Sequence, residues 1–293
     1  MGELDVNHVA RLLAEHALLL LGAGLVVVTI ALATLVAVIR AAARHRTPIL
    51  GVVAALSDHA RRVPLLRHVV DRSAQLVPSA YVSLHLAVGL AVVLCAAAFV
   101  SVAHETLGDE SEIAAFDLTF AQALHERTNP MGLQVFATIS WLGSTGVLTT
   151  VTLVVAAVLL ARGAVVLAVG WTGAQAGGAL LNVMLKTTFM RARPEFADPL
   201  LAESSWSFPS GHAMGTFIAC GVASYLVLRD RRSWRWVVPV LAIALSWSVV
   251  MAFSRLYLGV HFASDVIAGL VAGAAWVGVC VSAMEIVHRR RRA

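Results

Sequence analysis

The sequence predicts an all-α fold: a polytopic membrane helical bundle, with a six-span core preceded by one extra N-terminal span. Three observations predict it. Of 293 residues, 59% are hydrophobic and only 13% charged, whereas soluble domains carry about 25% charged residues. Mean hydropathy is +0.82, so one water-facing core cannot hide so much apolar surface. The chain also divides into seven apolar stretches, each near the roughly 20 residues that a helix needs to cross hydrocarbon.

The stretches run over Ala17–Ile39, Tyr81–Ala103, Leu133–Ala161, Ala164–Leu185, Gly211–Leu228, Val237–Phe253 and Val266–Val287. The first exceeds a signal-peptide core, and the residues before it set Glu3, Asp5 and Glu15 against Arg11. It therefore reads as an uncleaved anchor. Between it and the second span, residues 40–80 carry seven arginines broken by Pro48, Pro64 and Pro78. This segment reads either as amphipathic helices on an anionic leaflet or as a solvated basic connector. Residues 1–80 thus form an anchor and connector, and 81–293 the core. In the long third stretch, Gly143, Ser144 and Gly146 mark a kink or a close helix contact. The fourth carries Gly170, Gly173, Gly177 and Gly178, a small-residue face suited to helix packing. Cys95, Cys220 and Cys280 lie within apolar runs without metal or disulfide spacing, and read as packing residues.

Arginine placement sets the orientation. One set of alternate connections holds sixteen of the 22 basic residues: seven at 40–72, Arg162, four at 229–235 and four at 289–292. The other side holds Arg11, Arg127, Lys186, Arg191, Arg193 and Arg255. The positive-inside rule puts the first set in the cytoplasm, with the N-terminus outside. It also explains the basic balance without nucleic acid. An acidic loop with Glu105, Asp109, Glu110, Glu112 and Asp117 falls outside. The lysine-poor, small-residue-rich composition suggests a bacterial inner membrane. Whether copies associate into a homo-oligomer is not legible.

Three polar clusters interrupt the apolar chain, and all fall on the outer side. The first runs from Lys186, the sole lysine, to Arg193-Pro194; the second is Pro209-Ser210-Gly211-His212; the third is Ser254-Arg255, His261 and Asp265. Displacement at a phosphate monoester needs positive charge around the equatorial oxygens, an in-line nucleophile and an acid for the leaving oxygen. Lys186, Arg193 and Arg255 supply charge, the arginines as planar forks. Ser210 and Gly211 open a helix, whose free N–H groups make an anion site. His261 and Asp265, four apart, share a helix face. The carboxylate fixes the tautomer and leaves the other nitrogen of His261 free to attack. His212 is the candidate acid–base. No carboxylate cluster with Mg²⁺ spacing accompanies them, so no metal or cofactor is expected. Arg191 reads as a solvated side chain, with contact to substrate as the alternative. Glu195, Asp198, Glu203 and Trp206 lie in a loop placed to cover the site, with Trp206 read as an anchor at the membrane interface.

These clusters resemble the type-2 phosphatidic acid phosphatase family, which shares its fold with vanadium-dependent haloperoxidases and bacterial acid phosphatases. Lys186 with Arg193-Pro194, Pro209–His212, and Ser254-Arg255 with His261 and Asp265 fit its three motifs in order. The resemblance covers about Tyr81 to Val287. It implies a phosphohistidine on His261 with His212 as acid–base, and phosphate held by Lys186, Arg193, Ser210, Gly211, His212 and Arg255. It implies independence from Mg²⁺, inhibition by vanadate, and a membrane lipid phosphate or diphosphate as substrate. Transfer of the phosphoryl group to another acceptor, and a carrier role without turnover, are the alternative readings.

Overall fold

A computed structural model describes residues 5–34, 36–37, 41, 80–107, 111–195, 204–229 and 234–290. All its regular structure among these residues is helical. Helix α1 spans Val6–Glu15 and α2 Ala17–Thr34. They are followed by α3 (Ala80–Leu107), α4 (Glu112–His125), α5 (Pro130–Leu142), α6 (Thr145–Ala161) and α7 (Val165–Phe189). Then come α8 (Gly211–Leu228), a 3-10 turn (Trp234–Trp236), α9 (Val237–Tyr257) and α10 (Ala263–Arg290). The basic connector lies outside the described residues, and so do Asp109, Glu110, residues 196–203 of the covering loop, and the C-terminal arginines beyond 290.

Among the described residues, five helices are long and apolar enough to cross a membrane: α2, α3, α8, α9 and most of α10. The pair α5 and α6 makes a sixth span if its 42° bend is taken within one crossing. This broken helix occupies the third apolar stretch, and the break falls at the Gly143-Ser144 pair. The α-carbon of Gly143 packs on Met251, where a β-carbon would sit 2.6 Å from the sulfur. Ser144 then starts the new helix, its hydroxyl accepting from Val147 N at 3.4 Å. Helix α7, the expected fourth span, has 25 residues. It is not among the helices apolar enough to cross a membrane by this measure of length and composition alone, and its Thr172, Gln175 and Asn182 line a cavity.

Two apolar clusters hold the bundle. One joins Phe99 of α3, Trp171 and Ala174 of α7, Met214, Ile218 and Val222 of α8, and Ala268, Ala272 and Met284 of α10. Close approach there depends on small residues. A β-carbon on Gly269 of α10 would sit 2.6 Å from the Ser210 carbonyl oxygen, and one on Gly273 would sit 3.2 Å from that of Met214. Gly170, Gly177 and Gly178 of α7 likewise face Met284, Trp276 and Ile218, while Gly173 meets nothing. The other cluster gathers Ala10 and Ala14 of α1 with Phe120 and Leu124 of α4, Phe136 of α5, and Phe253, Tyr257 and Val260 at the end of α9. The N-terminal helix therefore packs on the end of the bundle where the polar clusters collect.

The acidic residues expected in a loop are largely helical. Glu105 ends α3, while Glu112 and Asp117 belong to α4, which Ser111 caps by accepting from Ala114 N at 3.1 Å. Asp117 is 1% exposed. A carboxylate so deeply placed requires partners, and they are Arg191 of the first cluster and Ser264 beside Asp265 of the third.

Candidate active site

The three clusters meet at one end of the bundle. Helix α7 delivers Lys186 from its last turn and stops at Met190, whose φ of 44° is left-handed. The chain then runs without regular structure through 191–194, and Arg191 O accepts from Ser207 N at 2.8 Å. Ser210 caps α8, its N–H donating to Asp265 O at 2.9 Å. This bond ties the second cluster to the third. Helix α9 ends in a Schellman turn: Gly259 N donates to Leu256 O and Val260 N to Arg255 O. Gly259 has a φ of 67°, which an L side chain rarely adopts. The turn sends His261 back into the protein, where it is 1% exposed.

The ring of His261 is held on both nitrogens. Nδ1 faces Asp265 Oδ2 at 3.4 Å and Ser207 Oγ at 3.3 Å. Nε2 faces Arg193 Nη1 at 3.3 Å. A guanidinium can only donate, so Nε2 is the acceptor and Nδ1 carries the proton toward the carboxylate. Burial pushes the imidazole down from 6.5 to about 4; Asp265 opposes this, while Arg255 and Arg193 add to it. Asp265, wholly buried, also accepts from Phe262 N at 2.9 Å and from Ser207 Oγ.

The cations surround this pair. Arg193 donates from Nε to Ser205 O at 2.7 Å, from Nη1 to Val260 O at 2.8 Å and from Nη2 to Ser205 Oγ at 3.1 Å. Lys186, 8% exposed, donates to the same Ser205 Oγ at 3.1 Å and to Trp206 O. Arg255 is buried and donates to Ser140 Oγ on α5. Lys186, Ser205, Gly211 and His212 line a cavity of about 650 Å³ that continues along α6 and α7. His261, Asp265, Arg193, Arg255 and Ser210 are not among its lining residues. Ser205 is the junction, touching Lys186 on the cavity side and Arg193 on the His261 side. Ser210 Oγ is buried and has no hydrogen-bond partner.

Arg191 corrects an expectation. Its side chain is 12% exposed and bridges two buried carboxylates, Asp265 Oδ1 at 2.6 Å and Asp117 Oδ2 at 2.8 Å. Burial pushes the Asp117 carboxyl above its usual range, with Ser264 and Arg191 pulling it back. Ser264 N donates to Asp117 Oδ1 at 3.1 Å. One signal in the sequence pointed here: residues two apart on an extended chain share a side, so Arg191 follows Arg193 toward the His261–Asp265 pair. Ser205, Ser207 and Asp117 carried no such mark.

Residues 164–289 match the family model described as the PAP2 superfamily. Phosphatidylglycerophosphatase B of Bacillus subtilis (strain 168) is 40% identical over 97 residues, covering 32% of this chain and 46% of that protein. Lipid phosphate phosphatase gamma of Arabidopsis thaliana is 32% identical over 113 residues, 36% of this chain and 49% of that one. The chain therefore spans about half the length of these relatives. A crystal structure of a transmembrane PAP2-type phosphatidylglycerolphosphate phosphatase from Bacillus subtilis superposes with a TM-score of 0.61 at 27% identity, covering 67% of this chain and 96% of that one. The matched segment holds all three polar clusters, and the helices carrying them are arranged as in a solved relative. The chain is an integral membrane protein whose residues 164–289 match the PAP2 superfamily.

Proposed function

We propose that the protein is a lipid phosphate phosphatase that works through a phosphohistidine on His261. One observation carries this reading: a neutral imidazole, its Nδ1–H held by Asp265, presents the Nε2 lone pair to a cationic side chain. A phosphate oxygen is a better acceptor for Arg193 than an imidazole nitrogen, because it is charged. An entering phosphate therefore takes up the N–H groups that Arg193 now turns to Ser205 and to His261 Nε2, and those that Lys186 turns to Ser205 and Trp206 O. That frees Nε2 to attack.

In the first step the Nε2 lone pair forms a bond to phosphorus while the P–O bond to the lipid breaks. His212, at the cavity wall, gives its proton to the leaving oxygen. In the second step His212 removes a proton from water, the hydroxide attacks phosphorus, and the P–N bond breaks. Inorganic phosphate leaves and His261 regains its lone pair. Lys186, Arg193, Arg255, the N–H of Gly211 and the unpartnered hydroxyl of Ser210 hold the charge that spreads over the equatorial oxygens.

Relatives named phosphatidylglycerophosphatase, lipid phosphate phosphatase and undecaprenyl-diphosphatase support a lipid monoester or diphosphate as substrate. The arginine count supports an active site on the outer face of a bacterial inner membrane, with the C-terminus in the cytoplasm. The phosphatase unit is residues 81–293, which contain every side chain of the site. Purified protein in detergent with EDTA is expected to release phosphate from phosphatidylglycerol phosphate, phosphatidic acid or undecaprenyl diphosphate. Release that appears only on adding a divalent metal would contradict this mechanism, and transfer to a lipid or sugar acceptor in place of water would make the protein a phosphotransferase.

A further inference from the structure

Arg191 lies outside the cavity lining, yet its guanidinium touches the carboxylate that orients His261. Of the two oxygens of Asp265, Oδ2 receives Ser207 Oγ, Phe262 N and His261 Nδ1. Oδ1 receives Arg191 Nη1 at 2.6 Å. The same Nη1 reaches Ser264 Oγ at 2.8 Å, and Nη2 reaches Asp117 Oδ2 at 2.8 Å. Ser264 Oγ in turn donates to Asp117 Oδ2. The guanidinium carbon lies over the ring of Phe262, 4.3 Å from the centroid. A planar fork gripped at both prongs, with an aromatic ring beneath its carbon, has a fixed orientation. Asp117 belongs to α4, outside the segment that matches the family model.

We propose that Arg191 and Asp117 are a positioning pair for the reaction, fixing the carboxylate of Asp265 and through it the ring of His261. The proposal rests on His261 being the nucleophile. Their polar atoms are turned to Asp265, Ser264 and each other, so they act on the nucleophile and leave substrate binding alone. Without Arg191, Oδ1 of a wholly buried carboxylate loses its charged donor, the carboxylate is free to turn, and its full negative charge falls on His261. The other groups facing His261 are Arg193, Ser207 and, through its charge, Arg255; each is unchanged by a substitution at 191.

The test combines steady-state kinetics on phosphatidylglycerol phosphate micelles with nitrogen-15 NMR of histidine-labelled protein in detergent, His261 being assigned by its loss in H261Q. Arg191→Met is expected to lower kcat by about 100-fold, the scale of a small misplacement of a reacting group, with KM unchanged. The titration midpoint of His261 is expected to move up from about 4 toward the ordinary 6.5. Arg191→Lys keeps the charge without the fork, and is expected to restore part of kcat and bring the midpoint back down. Asp117→Asn is expected to lower kcat without changing KM. Wild-type kcat in Arg191→Met overturns the proposal, as does a loss of activity with an unmoved His261 midpoint, which means a structural role alone. Where Arg191→Met does not fold, unchanged kcat in both Arg191→Lys and Asp117→Asn overturns it. If the wild-type protein releases no phosphate, the lipid phosphatase reading fails, and the His261 midpoint in the Arg191 variants still decides the positioning claim.

Discussion

At the scale of single residues, the site depends on keeping one buried imidazole neutral while surrounding it with positive charge. His261 titrates near 4 in the folded protein against 6.5 ordinarily. Between these values the unfolded chain binds the proton that the folded one refuses, so stability rises with pH across that window. The contribution is complete above about 6.5 and lost as pH falls to about 4. Thermal unfolding in detergent from pH 7 down to 4 is expected to show a falling midpoint, with a shallower fall in His261→Gln. Equal slopes for the two proteins would mean that His261 is not held neutral by burial. The proposed acid role of His212 makes a separate prediction. An alkoxide needs a proton to leave and a nitrophenolate does not. His212→Ala should therefore cost about 10²–10⁴-fold in phosphorylation of the enzyme by a lipid phosphate, and far less with p-nitrophenyl phosphate in single-turnover experiments. Equal losses on both would remove the acid role. The motif residues were legible because chemistry restricts their types and spacing. Asp117 was not, because its partners Arg191 and Ser264 lie 74 and 147 positions away in sequence, and nothing local distinguishes it from the acids around it.

At the scale of elements, two glycine-dependent contacts set the distance between the clusters. The Schellman turn at Gly259 aims His261 inward, and Gly269 lets α10 touch the first residue of the α8 cap. Since a β-carbon there would lie 2.6 Å from a backbone oxygen, the helices must part to admit it. Gly269→Val is expected to cost about 1–3 kcal/mol by overpacking and to lower kcat more than Gly221→Val, which presses only on the side chain of Val277. Comparable kcat losses would show that the α8–α10 spacing at the site is not critical. The sequence displayed the small-residue face of α7 but drew less notice to Gly269 and Gly273, four apart on α10. The helical break was legible because a glycine followed by a capping serine is a local signal. The polar stripe of α7 was less so: Thr172, Gln175 and Asn182 dilute its hydropathy, and only the fold shows that they face one cavity.

At the scale of the whole molecule, the alternation of spans explains why three clusters far apart in sequence share one end. The end of α7, the start of α8, the end of α9 and the start of α10 meet there, whichever side of the membrane that is. The all-α bundle was therefore readable from apolar stretch lengths, and the convergence of Lys186, Arg193, His212 and His261 from their positions at span ends. The packing of α1 against α4 and the end of α9 was not, since its alanines Ala10 and Ala14 are buried by shape and carry no periodic signature strong enough to name a partner. The account stands on a covalent bond between phosphorus and His261. The most direct measurement is rapid denaturation of the protein during turnover of a lipid phosphate, followed by peptide mass spectrometry that preserves acid-labile phosphate. The account predicts one phosphoryl group on the imidazole of His261, absent from His261→Ala. A phosphoryl group on another residue, or full turnover by His261→Ala, would contradict it.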